Sequence, residues 1–172
     1  ETDNTSKPQE FRVHDGDREL RFTGSYIGKS SSRSRGSDRW IEFALFRPNE
    51  SGRYVVSRIG RSRRFHTKLC RVAAKSPDLK PSSLATLSVD DSPCPECLPH
   101  GDEHLDDNAL VYPERDRPWA GVFPSAQDVI DHLTQVNDQG VSYLTHVARD
   151  LLVSAAENDA EMRDAYYVVE VS

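Results

Sequence analysis

The sequence lacks most of the features that mark a specialised chain. No apolar run approaches the ~20 residues that a membrane-spanning helix requires, which argues against a membrane partner. The opening ETDNTSKPQE has no apolar core of the kind a secretory signal needs, and residues 1–9 read as a flexible tail. Cysteine is scarce and odd in number, at three, so a secreted disulfide framework is not indicated and a reducing, cytoplasmic setting fits better. Glycine-rich phosphate loops are missing, because Gly52-Arg53-Tyr54 and Gly60-Arg61-Ser62 read as turns and match neither nucleotide fingerprint. There is no nucleophile elbow. Lysine is also rare, with five against seventeen arginines.

What is present is an uneven charge. The net charge of −6 conceals a basic stretch and an acidic one. Residues 29–75 hold thirteen Lys and Arg against three Asp and Glu, whereas residues 76–172 hold five against nineteen. Such a division points either to a polyanion-binding face or to neutralisation of one half by the other.

Periodicity supplies the fold class. Residues 10–28 read as a hairpin, with Phe11 and Val13 alternating with polar residues before Asp15-Gly16, and Leu20 and Phe22 resuming after it. KSSSRSRGSD (29–38) is too polar to pack and reads as a mobile basic loop. RWIEFALFR (39–47) and RYVVSRIG (53–60) read as two strands paired across the Pro48–Gly52 turn. Residues 76–124 carry eight of the ten prolines and read as an irregular segment that needs something to hold it. From Ser125 the period becomes helical. Val129, Ile130, Leu133 and Val136 share one face behind a Ser125 cap, and a second helix is predicted from about Ser142 to Glu157. The tail YYVVEVS is predicted to close as a strand. The expectation is one α+β domain over residues 10–172: an N-terminal antiparallel β-sheet in a basic half (10–75), an irregular, zinc-stapled middle (76–124), and an acidic half with two C-terminal helices (125–172).

Two constellations carry chemistry. In SPCPECLPHGDEH, Cys94 and Cys97 have the spacing at which two thiolates wrap one Zn2+, with His66 and Cys70 as the natural second pair and His100 and His104 as competitors. Such a structural zinc would order a proline-rich segment that has little core. His100-x2-Glu103-His104 also matches an inverted zinc-hydrolase pattern, although Gly101 and the aspartates around it make a poor helix.

The second constellation is basic. If the two strong strands pair, residue 39 falls near residue 61. Arg33, Arg35, Arg39, Arg58, Arg61, Arg63, Arg64 and Lys68 then converge at one end of the hairpin, with Trp40 and Tyr54 able to stack on bases. The leading expectation is a non-enzymatic module that binds nucleic acid. The runner-up is a protein-interaction or inhibitor module acting through the acidic C-terminal half, and a zinc-dependent hydrolase is third.

RELRFTG followed by SSSRSRGSDRWIEFALFRPNESGRYVVSRIGRS, over residues 18–62, resembles small proteins of actinobacterial and actinophage genomes. These share RW-x-E-x-x-L-[FY]-R, G-R-Y-V-V and G-x-S, often with a later CxxC. The resemblance implies a cytoplasmic bacterial or phage protein with a β-rich N-terminal half, and assigns no activity to any residue.

Overall fold

A computed structural model describes residues 9–49, 51–67, 79, 81–83, 91–93, 110–169 and 171. The chain divides into two compact units. The first comprises Glu1–Ser32, Ile41–Ile59 and Arg117–Ser172, and the second Arg33–Trp40 and Gly60–Asp116.

In the first unit, alternating apolar and polar residues make strands β1 (Gln9–Asp15), β2 (Arg18–Ser31), β3 (Arg39–Pro48) and β4 (Tyr54–Ser62). They are joined by a later strand, which is β9 in chain order (Arg117–Phe123). The antiparallel sheet runs β1-β2-β3-β4-β9. It curls enough for Gly16 N, past the end of β1, to donate to Pro118 O at 3.0 Å. The period-two alternation divides β3 between two cores. Phe43 and Leu45 face one cluster with Ile27, Tyr54 and Val56, while Ala44 and Phe46 face another with Val13, Val55 and Ala120. In this second cluster the Phe11, Phe22 and Tyr26 rings surround Phe46 at centroid distances of 4.9–5.3 Å.

Three helices cover the first cluster: α1 (Ala126–Leu133), α2 (His146–Asn158) and α3 (Ala160–Tyr167). Ser125, Thr145 and Asp159 cap them, each accepting from the backbone N–H three residues on. Val129, Leu151, Leu152 and Met162 are fully buried, each contributing about 1.5–3 kcal/mol of apolar transfer. Helix α2 lies tight on β2 at its bulge. A Cβ on Gly28 would fall 2.9 Å from Ala155 N, and Asn158 Nδ2 donates to Ile27 O at 2.9 Å.

Where β3 and β4 meet the C-terminal helices, a polar cluster is built into the core. The fully buried Tyr54 places its hydroxyl 2.7 Å from Asp159 Oδ2 and 2.6 Å from Glu161 Oε2. Arg47 Nη1 donates to Asp159 Oδ1 at 2.6 Å, and its guanidinium lies 5.0 Å from the Tyr54 ring centre. Burial drives Tyr54 strongly upward from its ordinary pKa, and the two carboxylates add to the shift. Burial also raises Asp159, but the Tyr54 hydroxyl, Arg47 and the Met162 N–H outweigh it and hold the carboxyl below its usual value.

The α+β expectation holds in outline, with corrections. The proline-rich span contributes β9, a sheet strand that the alternation Trp119-Ala120-Gly121-Val122 encodes. The predicted second helix starts later, at His146, because Ser142–Tyr143 pairs with Gln135–Val136 in a two-stranded ribbon (β11 with β10). Tyr166 and Tyr167 end α3, and Val168 and Val169 form no strand.

The second unit holds a four-stranded sheet, ordered β6-β8-β5-β7, from β5 (Arg64–Thr67), β6 (Ser82–Ser83), β7 (Ser92–Pro93) and β8 (Leu110–Pro113). Strand β5 pairs antiparallel with β8 and parallel with β7. Among the described residues, no helix is long and apolar enough to cross a membrane.

Candidate polyanion site

The second unit gathers the arginines on either side of the β3–β4 hairpin. Arg63 N donates to Asp38 O at 2.7 Å, which sets residue 39 beside residue 62, close to the register the sequence implied. The stretch between β2 and β3 is ordered by a β-turn over Ser34–Ser37. Ser37 N donates to Ser34 O at 3.0 Å, and Gly36 sits at φ 84°, a left-handed position that glycine adopts without steric cost. Ser34 N donates to Ser37 Oγ at 2.9 Å, and the two hydroxyl oxygens lie 2.7 Å apart.

Around this turn lies a concavity of about 550 Å³, lined by Arg33, Ser34, Arg35, Gly36, Ser37, Asp38 and Arg63. Two of these arginines lie against an aromatic ring that is not itself part of the lining. The Arg33 guanidinium lies 4.6 Å, and that of Arg63 5.7 Å, from the centre of the Trp40 ring, a cation–π arrangement. Trp40 is only 8% exposed, so its ring carries the guanidiniums instead of offering a face to a base. Tyr54, fully buried against Asp159, has no face for stacking either.

The other sequence candidates separate. Arg39 is engaged by Glu114, with Nε donating at 2.9 Å and Nη2 closing the fork. Arg61 pairs with Asp116, and Arg64 Nε donates to Asp38 Oδ2 at 2.6 Å. Burial raises the pKa of Glu114, yet Arg39, Ser62 and His66 together hold it below its ordinary value. The Arg64 hydrogen bond does the same, more directly, for Asp38. Arg58 belongs to the first unit, where the burial of His132 lowers that imidazole's pKa and the Arg58 charge adds to the effect. Lys68 lies outside the described residues.

Of the zinc candidates, only His66 is described. It is 2% exposed, with Nε2 3.0 Å from Glu114 Oε1. Cys70, Cys94, Cys97, His100 and His104 lie outside the described residues, as does Glu103 of the hydrolase pattern. Among the described residues, no three His, Cys, Asp or Glu side chains gather as a metal-binding group.

Sequence reasoning missed the three carboxylates that meter this patch, Asp38, Glu114 and Asp116. A count of formal charge carries no information about which acid folds against which base. The Ser34–Ser37 turn had a signal, a lone glycine within a serine- and arginine-rich stretch. A second concavity, of about 480 Å³ in the first unit, is lined by Tyr26, Lys29, Glu42, Ala44, Ser57 and Ile59 among others. There one lysine faces one glutamate, so it lacks the net positive charge of the Arg33–Arg63 site.

The chain matches no protein-family model, no curated protein and no solved structure. Its functional reading rests on this geometry.

Proposed function

We propose that the chain is a non-enzymatic polyanion-binding module whose ligand class is nucleic acid. The observation that carries this reading is the convergence of Arg33, Arg35 and Arg63 with two serine hydroxyls on one concavity. Guanidiniums hold phosphate oxygens through paired N–H donors, and a hydroxyl adds a neutral contact. The odd cysteine count fits a reducing, cytoplasmic setting for such a module. Retention on heparin tests the reading. Arg33→Glu with Arg35→Glu abolishes it while the far-UV circular dichroism stays that of the parent, and unchanged retention sinks the assignment.

A structural Zn2+ on Cys94, Cys97, Cys70 and His66 belongs to the same proposal. Two observations favour it. Parallel pairing sets Pro93, which precedes Cys94, beside Phe65, which precedes His66. The Glu114 carboxylate at His66 Nε2 is also the outer-sphere contact that orients metal-ligating imidazoles. Metal analysis of the purified protein should give one zinc per chain, and Cys94→Ser should lose it and melt lower. A metal-free chain with an unchanged Cys94→Ser melt removes the staple.

Protein interaction is the second reading. Tyr167 at the end of α3, and Val168, Val169 and Val171 beyond it, are exposed, Val169 at 81%, an apolar strip at the end of the acidic half. Val168→Ser with Val169→Ser would then abolish association with a basic partner and leave heparin retention intact.

A further inference from the structure

The concavity of the first unit shares no residue with the arginine-lined one. It crosses the sheet face that carries the second cluster. Alternation puts Ser57 and Ile59 on the same side of β4 as Val55, and Glu42 on the same side of β3 as Ala44 and Phe46. On β2, the register after the bulge sets Lys29 opposite Ala44 and Ser31 opposite Glu42, so these side chains leave the sheet on that face too. Before the bulge, Tyr26 stands opposite Phe46, and the two rings meet at 5.2 Å. Residue 39 beside residue 62 and the Arg47 guanidinium over the Tyr54 ring express one β3–β4 register, which sets Ser57 beside Ala44. Lys29 and Ser57 therefore flank Ala44 in one row across the sheet, and the small methyl between them leaves the hollow.

Two polar groups of that row have no partner among the described residues. Ser57 is 6% exposed and its hydroxyl makes no hydrogen bond, yet the oxygen is not sealed off, so the surface it keeps opens on the concavity it lines. Buried hydroxyls are nearly always hydrogen-bonded, and one left open beside a cavity is a donor for a ligand. The Lys29 ammonium makes no hydrogen bond or ion pair with a described residue, whereas Glu42 and Ser31 are already engaged. The rest of the lining is apolar, with Ala44 and Ile59 beside the Tyr26 ring, which is 45% exposed. A volume of about 480 Å³ suits a ligand of one or two rings. One cation and one hydroxyl donor over an apolar surface match a single carboxylate on an aromatic body.

We infer that this concavity binds a small aromatic monocarboxylate, whose carboxylate pairs with the Lys29 ammonium and accepts from the Ser57 hydroxyl. The inference does not rest on the polyanion reading.

The test is a titration of the full chain with naphthoate and with its uncharged twin naphthamide, followed by calorimetry and by amide proton–nitrogen correlation spectra. Naphthoate should bind with a Kd of about 1 mM or tighter and shift the Ala44 and Ser57 amides. Naphthamide should bind at least about tenfold more weakly. Lys29→Gln should bring naphthoate down to the level of naphthamide, and Lys29 is exposed, so the fold stands. Ser57→Ala should weaken naphthoate several-fold, and Arg33→Glu with Arg35→Glu should leave it unchanged. Equal affinity for acid and amide would overturn the inference, as would an unchanged affinity in Lys29→Gln or Ser57→Ala. So would the absence of binding at ~5 mM. Naphthoate binding that is lost with the two arginines and kept in Lys29→Gln would put the acid on the arginines and overturn it as well.

Discussion

Tyr54→Phe removes one oxygen from the centre of the first unit, and its cost can be worked from the contacts. The hydroxyl has one proton and two carboxylate neighbours, Asp159 at 2.7 Å and Glu161 at 2.6 Å. It can donate to one at a time, and Arg47 compensates the other. Asp159 is buried, so the lost bond there is charge-assisted and counts for about 1.5–3 kcal/mol. The Glu161 side chain is half exposed, and its ion pair contributes under ~1 kcal/mol. The phenyl ring fills the same space, so no cavity opens. The expected loss is therefore about 2 kcal/mol, or roughly 4–8 °C in Tm for a chain of this size. Urea and thermal unfolding followed at 222 nm would measure it, with Glu161→Gln as a control expected to cost under ~0.5 kcal/mol. If Tyr54→Phe costs no more than that control, the buried hydroxyl does not hold α3 to the sheet and the reasoning fails.

The same cluster sets the pH dependence. Asp159 has a folded pKa below its ordinary 3.8, so its contribution is present above that pH and is lost as pH falls through the folded value. Tyr54 has a folded pKa above its ordinary 10.0, so its contribution is present below pH 10 and is lost as pH rises beyond it. Urea midpoints should be flat between about pH 7 and 9 and begin to fall below that as His132, whose folded pKa is lowered, is driven to protonate. Asp159→Asn should flatten the further acid limb and Tyr54→Phe the alkaline one. Glu114→Gln should release Arg39 to a ligand, tightening polyanion binding and steepening the salt slope by about 0.7–0.9, readable by anisotropy. Gly28→Ala should cost about 1–3 kcal/mol, because its Cβ meets the backbone of Ala155, and the urea midpoint should fall accordingly. Gly36→Ala meets no neighbouring atom, so its strain is local to the turn. Ligand affinity should drop while the thermal midpoint moves by only a few degrees.

Much of the first unit was legible because strands announce themselves by period. Phe43 and Leu45 against Ala44 and Phe46 give the two faces of β3 directly, and Asp15-Gly16 gives the first turn. Strand β9 was obscured by its own proline and by the prolines before it, which read as irregular chain. Helix α3 was hidden by apolar β-branched residues just after it, whereas the local cap at Asp159 decided the outcome. The convergence of basic residues was legible from strand pairing, since residues 38 and 63 share a hydrogen bond. Which acid engages Arg39 and Arg61 was not, because Glu114 and Asp116 arrive from fifty or more positions away. The Trp40 ring illustrates the same limit. An exposed aromatic and a buried one beneath two guanidiniums look alike until the packing is known.

The most direct test is a salt-series anisotropy titration of a single-stranded oligonucleotide with the parent chain and with Arg33→Glu/Arg35→Glu. The account predicts binding by the parent that weakens with a log–log slope near −2, and no binding by the variant at any salt. Equal binding by the two proteins, or none by the parent even at low salt, would contradict it.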